Sequence, residues 1–178
     1  METYIALLRG VNVGQNLLKM ERLRELWAEL GFKNVRTYVQ SGNVVFEAEG
    51  SPSSWSLAID RKLAGVTRLP VTVLLRTPRE LKSTISRNPF LKEQGIDRSK
   101  LHVTFLPSIA GEDANKKLSA INAGGDRFCV LGKEIYLHCP TGYGKTKLSN
   151  NALEKALSLR ATTRNWNTVN KLYEIAAS

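Results

Sequence analysis

The chain has 178 residues, 42% of them apolar and 24% charged, a balance that fits a folded globular protein and argues against disorder. Its longest uninterrupted apolar run, residues 4–8, is far too short to cross a bilayer. No cationic stretch followed by an apolar segment and a small-residue cleavage site opens the chain, so the expectation is a soluble, cytoplasmic protein with no membrane partner.

Residues 3–9 read as a strand apolar on both faces, which implies a central place in a sheet, and they lead into a glycine-bearing loop at 10–14. Met20, Leu23, Trp27 and Leu30 then repeat at helical spacing, with Gly31 where such a helix would stop. Residues 35–39 and 44–46 are predicted strands joined by the tight turn Gln40-Ser41-Gly42-Asn43. After a flexible stretch at 50–54, Trp55, Ile59 and Leu63 mark a second helix, and Pro70 introduces a strand over 71–75. Thr77-Pro78-Arg79-Glu80 supplies a cap, a first-turn proline and a third-position glutamate, followed by Leu81 and Ile85 as the buried stripe of a helix that Asn88-Pro89 ends.

Strand, helix, strand, strand, helix, strand is the ferredoxin-like order, with helices packed on one face of an antiparallel sheet. The same order restarts at Leu101: a strand (101–106), a helix (112–122), strands (128–131 and 135–139) around a turn at Gly132-Lys133, and a helix (151–157). A last helix carries Val169, Leu172, Tyr173 and Ala176 where the first copy had a strand. The expected fold is therefore α+β, with two ferredoxin-like half-domains at 1–76 and 101–178 and a helical linker at 77–100.

Crossover geometry makes the strands 3–9 and 35–39 parallel, so their carboxyl ends share an edge. That clusters Arg9, Asn12, Gln40, Ser41 and Asn43 at one rim, although turn chemistry alone would explain Gly42 and Asn43. Pro140-Thr141-Gly142-Tyr143-Gly144-Lys145-Thr146-Lys147 looks like a phosphate loop, but Cys139 stands where its first glycine belongs. What remains is a weaker anion site at Lys145 and Lys147 with backbone amides near Asn151. In the polar stretch around Trp166, Arg164 could offer its fork to a phosphate or carboxylate with Thr163 and Asn165 beside it. The alternative is a polar lock, with Asn167 capping the last helix, Trp166 in the core and Arg164 paired with an internal carboxylate.

No relay or metal chemistry is indicated. His102 and His138 lie within strands with no spaced nucleophile, and Cys129 and Cys139 sit in apolar runs without zinc or disulfide spacing, so two inert buried thiols and neither metal nor cofactor are expected. Residues 42–46 lack the paired aromatics on which single-stranded RNA stacks in ferredoxin-like modules.

Taken together, Leu8-Arg9-Gly10-Val11-Asn12-Val13-Gly14, Tyr38-Val39-Gln40-Ser41-Gly42-Asn43-Val44-Val45-Phe46, Asn88-Pro89-Phe90 and Ala161-Thr162-Thr163-Arg164-Asn165-Trp166-Asn167-Thr168 resemble the bacterial family called domain of unknown function 1697. The resemblance spans nearly the whole chain. It implies a two-part α+β protein with ferredoxin-like halves and no established reaction, substrate or cofactor.

The net charge of +10 is uneven: residues 1–50 carry six cations and six acids, 51–100 ten and four, and 101–178 ten and six. Between residues 140 and 171 six cations face one acid, Glu154. This bias leads to the expectation of an anion-binding protein, with nucleic acid the foremost ligand class. The competing expectation is an enzyme acting on a small phosphorylated or carboxylated metabolite held between the halves, with Arg9, Lys145 and Arg164 stabilising charge.

Overall fold

The computed structural model describes every residue except Val13, Gln15 and Asn16; the portion of the 10–14 loop at Val13 lies outside the described residues. Strands β1 (Glu2–Arg9), β2 (Lys33–Thr37), β3 (Asn43–Ala48) and β4 (Thr72–Arg76) form one sheet in the order β2-β3-β1-β4, every neighbouring pair antiparallel. Helices α1 (Met20–Glu29) and α2 (Pro52–Ala64) pack Leu23, Leu26, Trp27, Trp55, Ile59 and Leu63 against Tyr4, Ala6, Leu8, Val44 and Phe46, which alternate onto one face of that sheet. Each leucine, isoleucine, valine or phenylalanine among them contributes about 1.5–3 kcal/mol on burial. Ile5 and Leu7, on the opposite face of β1, are also fully buried, as expected of a strand apolar on both sides.

Strands β5 (Leu101–Phe105), β6 (Arg127–Leu131), β7 (Glu134–His138) and β8 (Thr162–Asn165) repeat the design in the order β6-β7-β5-β8, again antiparallel throughout. Helices α4 (Ala114–Ser119) and α5 (Asn150–Leu157) place Leu118 and Leu153 in a core with Leu106, Ile135, Leu137 and Cys139. The two sheets match in register as well as in order. Leu8 N–H donates to the Gly42 carbonyl at 2.8 Å and Leu106 N–H to the Lys133 carbonyl at 2.8 Å, each closing the first strand onto the hairpin beside it.

Between the repeats lie α3 (Pro78–Ser86) and two 3-10 turns (Pro89–Lys92 and Arg98–Lys100); α6 (Trp166–Ala177) follows β8. The reciprocal cap of α3 forms as its sequence predicts, with Thr77 N–H on Glu80 Oε2 at 2.8 Å and Glu80 N–H on Thr77 Oγ1 at 3.2 Å. The chain divides into two compact units, Met1–Lys82 with Leu172–Ser178, and Ser83–Lys171.

Several expectations need correction. The second sheet does have its fourth strand: β8 pairs with β5 in the register Val103↔Arg164 and Phe105↔Thr162, so α6 follows that strand instead of replacing it. Asn165, not Asn167, caps α6, accepting the Thr168 N–H at 2.8 Å. β2 ends at Thr37, before the expected 39, because Val39 turns into the left-handed region (φ 50°). Helix α2 begins at Pro52, inside the stretch expected to be flexible. Cys139 is buried, and desolvation pushes its thiol up to about 11, whereas Cys129 is only half-buried.

Candidate functional site

In the first unit, β1 and β2 run towards one end of the sheet and β3 and β4 start from it, so the described residues of three loops meet there: 10–12, 14 and 17–19 in the first, 38–42 in the second and 65–71 in the third. Asn12 ties the first two. Its Nδ2 donates to the Gln40 carbonyl at 2.6 Å while its Oδ1 accepts the Leu18 N–H at 2.8 Å, and its own backbone is left-handed (φ 55°), a conformation asparagine tolerates better than most. Asn43 is fully buried and donates to the Tyr38 carbonyl at 3.0 Å and to Ser41 Oγ at 2.9 Å. Asn12 and Asn43 therefore hold the loops together. Gln40 and Ser41 are exposed on the hairpin, and Arg9 is half-buried where β1 ends.

Gly42 shows why the rim is so compact. A Cβ there would stand 2.5 Å from Val11 Cγ2 and 2.8 Å from Leu8 Cβ. Gly10 similarly approaches the third loop, since a Cβ on it would lie 2.9 Å from the Pro70 carbonyl oxygen.

In the second unit the register pairs Arg127 with His138, which brings the loops before β6 and after β7 to one end. They line a cavity of about 280 Å³ formed by residues 122–126 on one side and Pro140, Thr141, Lys145 and Lys147 on the other. Lys145 and Lys147 are exposed, and the backbone of Gly124 and Gly125 is unobstructed, with no other group near the place a Cβ would occupy. Asp126 is also in the lining, so one carboxylate offsets part of the lysine charge.

The supposed phosphate loop uses much of its backbone internally. Lys145 N–H donates to the Gly142 carbonyl, Thr146 N–H to the Tyr143 carbonyl and Leu148 N–H to Thr146 Oγ1, while the Ser149 hydroxyl caps α5 through the Ala152 N–H. The cations in the lining of this cavity are Lys145 and Lys147. Sequence spacing found those lysines and missed the Gly124-Gly125-Asp126 loop opposite, whose paired glycines were the available signal.

The third group is bonded within its own unit. Arg164 is buried and its Nη1 donates to Thr162 Oγ1 at 2.8 Å and to the Thr163 carbonyl at 2.9 Å; desolvation lowers the guanidinium pKa to about 10. Thr163 donates to Asn150 Oδ1 at 2.7 Å and shares a 2.7 Å bond with the Thr104 hydroxyl. Asn165 is the helix cap and Trp166 is buried. These hydrogen bonds tie the polar stretch to β5, α5 and the start of α6.

Among the described residues no group of three or more His, Cys, Asp or Glu side chains is placed to hold a metal ion, and no helix is long and apolar enough to cross a membrane. His102 is buried and stacked on Tyr143 with ring centroids 4.8 Å apart, and its Nδ1 has no hydrogen-bond partner.

Two four-stranded antiparallel sheets, each with the βαββαβ order of a ferredoxin-like unit, define a duplicated α+β protein. The chain belongs to the family described as "Protein of unknown function (DUF1697)", whose model matches residues 1–136. In fold it is similar to the conserved bacterial protein SP0830 from Streptococcus pneumoniae, with a TM-score of 0.71 and 21% identity over 100% of this chain and 99% of that one. No curated protein matches the sequence.

Proposed function

We propose that this protein binds an anionic ligand through the lysine-flanked cavity of its second unit, and that the ligand is nucleic acid contacted through its phosphates. The observation that carries this reading is the placement of Lys145 and Lys147 beside the open backbone of Gly124 and Gly125. The volume, about 280 Å³, lies just below the range of roughly 300–1,000 Å³ usual for enclosed small-molecule sites. It suits one phosphate group borne on a larger anion. No aromatic ring is among the exposed large hydrophobic side chains, which favours backbone contact over base stacking. The excess of ten positive charges supplies the long-range attraction.

The test is fluorescence anisotropy with a labelled DNA duplex across a salt series. Affinity should fall with a log-log slope near −0.9 for each phosphate neutralised, and Lys145→Ala with Lys147→Ala should flatten that slope by about 2. Absence of binding at low salt, or a slope unchanged in the double variant, sinks the proposal. A small phosphorylated compound that saturates the cavity while DNA does not bind would favour the metabolite reading instead.

A further inference from the structure

The rim of the first unit differs in character from the lysine-flanked cavity. Its three loops contain two cations, Lys19 and Arg68, with Arg9 at the end of β1 as a third, and among their described residues there is no aspartate or glutamate. They also present aliphatic side chains to solvent: Leu17 is 78% exposed, Leu69 56% and Val39 48%. An isolated exposed leucine needs no explanation. Here three such side chains stand on loops that Asn12 and Gly10 draw together: Leu17 beside the Leu18 N–H that Asn12 accepts, Val39 beside the Gln40 carbonyl to which Asn12 donates, and Leu69 next to the Pro70 carbonyl that Gly10 approaches.

Val39 adds a second, independent observation. A β-branched residue rarely adopts φ near +50°, yet Val39 does so with its side chain half in solvent. A polar turn residue would occupy it with less strain.

We infer that this rim is a docking surface for an acidic segment of a partner protein that carries aliphatic side chains. Charge decides the sign of the partner, because the three cations outnumber Glu21, the exposed acid in the adjoining first turn of α1, and so repel basic segments and attract acidic ones. The exposed side chains decide its class: a nucleic-acid backbone would use the cations and leave Leu17, Val39 and Leu69 against water, whereas apolar side chains of a peptide would cover them. The rim is made of strand ends and loops, so recognition here proceeds through side chains and not by adding a strand to a sheet edge.

The experiment is anisotropy of the full chain with short labelled peptides in which glutamate alternates with leucine, glutamate with serine, or lysine with leucine. The glutamate-leucine peptide should bind best. Leu17→Ser with Leu69→Ser should weaken it by about tenfold or more, as should Lys19→Glu, while Leu57→Ser, an exposed apolar position in the middle of α2, leaves it unchanged. Circular dichroism confirms that these surface variants fold. Equal binding of the glutamate-serine or lysine-leucine peptide, or no loss in the rim variants, overturns the proposal. An oligonucleotide that displaces the peptide and loses affinity with Leu17→Ser and Leu69→Ser would assign the rim to nucleic acid and overturn it equally.

Discussion

Arg76 and Arg164 hold the same position in the two repeats. Each lies on the fourth strand of its sheet, opposite Ile5 on β1 in one case and Val103 on β5 in the other, and each is buried. Each guanidinium Nη1 donates to the carbonyl of the preceding residue at 2.9 Å, Leu75 and Thr163 respectively. In both repeats the next residue caps a helix, Thr77 for α3 and Asn165 for α6. The duplicated unit thus continues past the sixth element into a seventh, a helix that starts two residues after a buried arginine.

This equivalence predicts that Arg76→Ala and Arg164→Ala destabilise the fold by similar amounts, about 2 kcal/mol or more, because each removes hydrogen bonds and packing from a buried site. Urea unfolding midpoints measure it. Lysine should not restore stability at Arg164, since a compact, strongly hydrated ammonium is costlier to bury there than a delocalised guanidinium. A destabilisation confined to one of the two positions would break the equivalence.

Gly42 and Gly132 form a controlled pair for steric cost. Both have positive φ, 72° and 64°, and both precede the third strand of their sheet, but only Gly42 has neighbours inside van der Waals distance of a Cβ. Gly132→Ala should cost about 1–2 kcal/mol for the backbone conformation alone. The expected loss at Gly42→Ala is larger by about 1–3 kcal/mol, the usual penalty of overpacking. Thermal melts of the two variants decide the matter, and equal losses would mean that Val11 and Leu8 yield without cost.

Replacing Val39 by asparagine should stabilise the protein by about 1 kcal/mol, because asparagine tolerates the left-handed backbone that valine resists. The same change should weaken the glutamate-leucine peptide. Higher stability with undiminished peptide affinity would show that the strain serves no docking role.

Acid should destabilise the second unit through His102. Burial lowers its pKa below the ordinary value of 6.5, with a backbone interaction at Lys100 partly opposing the shift. As pH falls through 6.5 the unfolded chain takes up the proton first. The stabilisation from a neutral His102 is therefore complete above that value and is lost progressively below it. His102→Phe, which keeps a ring stacked on Tyr143, should flatten the fall in melting temperature on acidification, and an unchanged profile would assign the acid sensitivity to other groups.

Most of the architecture was legible in the sequence because apolar periodicity reports burial directly. β1, buried on both faces, read as a central strand, and the stripe Leu23, Trp27 and Trp55, Ile59, Leu63 located two helices. Strand β8 escaped because its inward residues are Thr162 and Arg164, whose burial rests on hydrogen bonds and leaves no hydropathy signal. The adjacent threonines, with their preference for extended backbone, were the only hint. Function was less legible for the same reason. Asn12, Asn43, Thr163 and Asn165 are residue types that serve ligands and turns alike, and only their bonded partners distinguish the two uses. Lys145 and Lys147 carried a charge signal, but the loop that faces them is twenty residues or so earlier and shares no motif with them.

The make-up of the first unit has a consequence for the order in which the protein takes shape. Its sheet and both of its crossover helices come from Met1–Lys82, yet the unit also includes Leu172–Ser178, where Ser178 Oγ accepts from Arg36 Nη1 at 2.9 Å. Those seven residues are synthesised after the whole of Ser83–Lys171. On a ribosome, which releases the chain from its amino end, the contiguous second unit can close as soon as its own last residue emerges. The unit that is begun first is then the last to be finished.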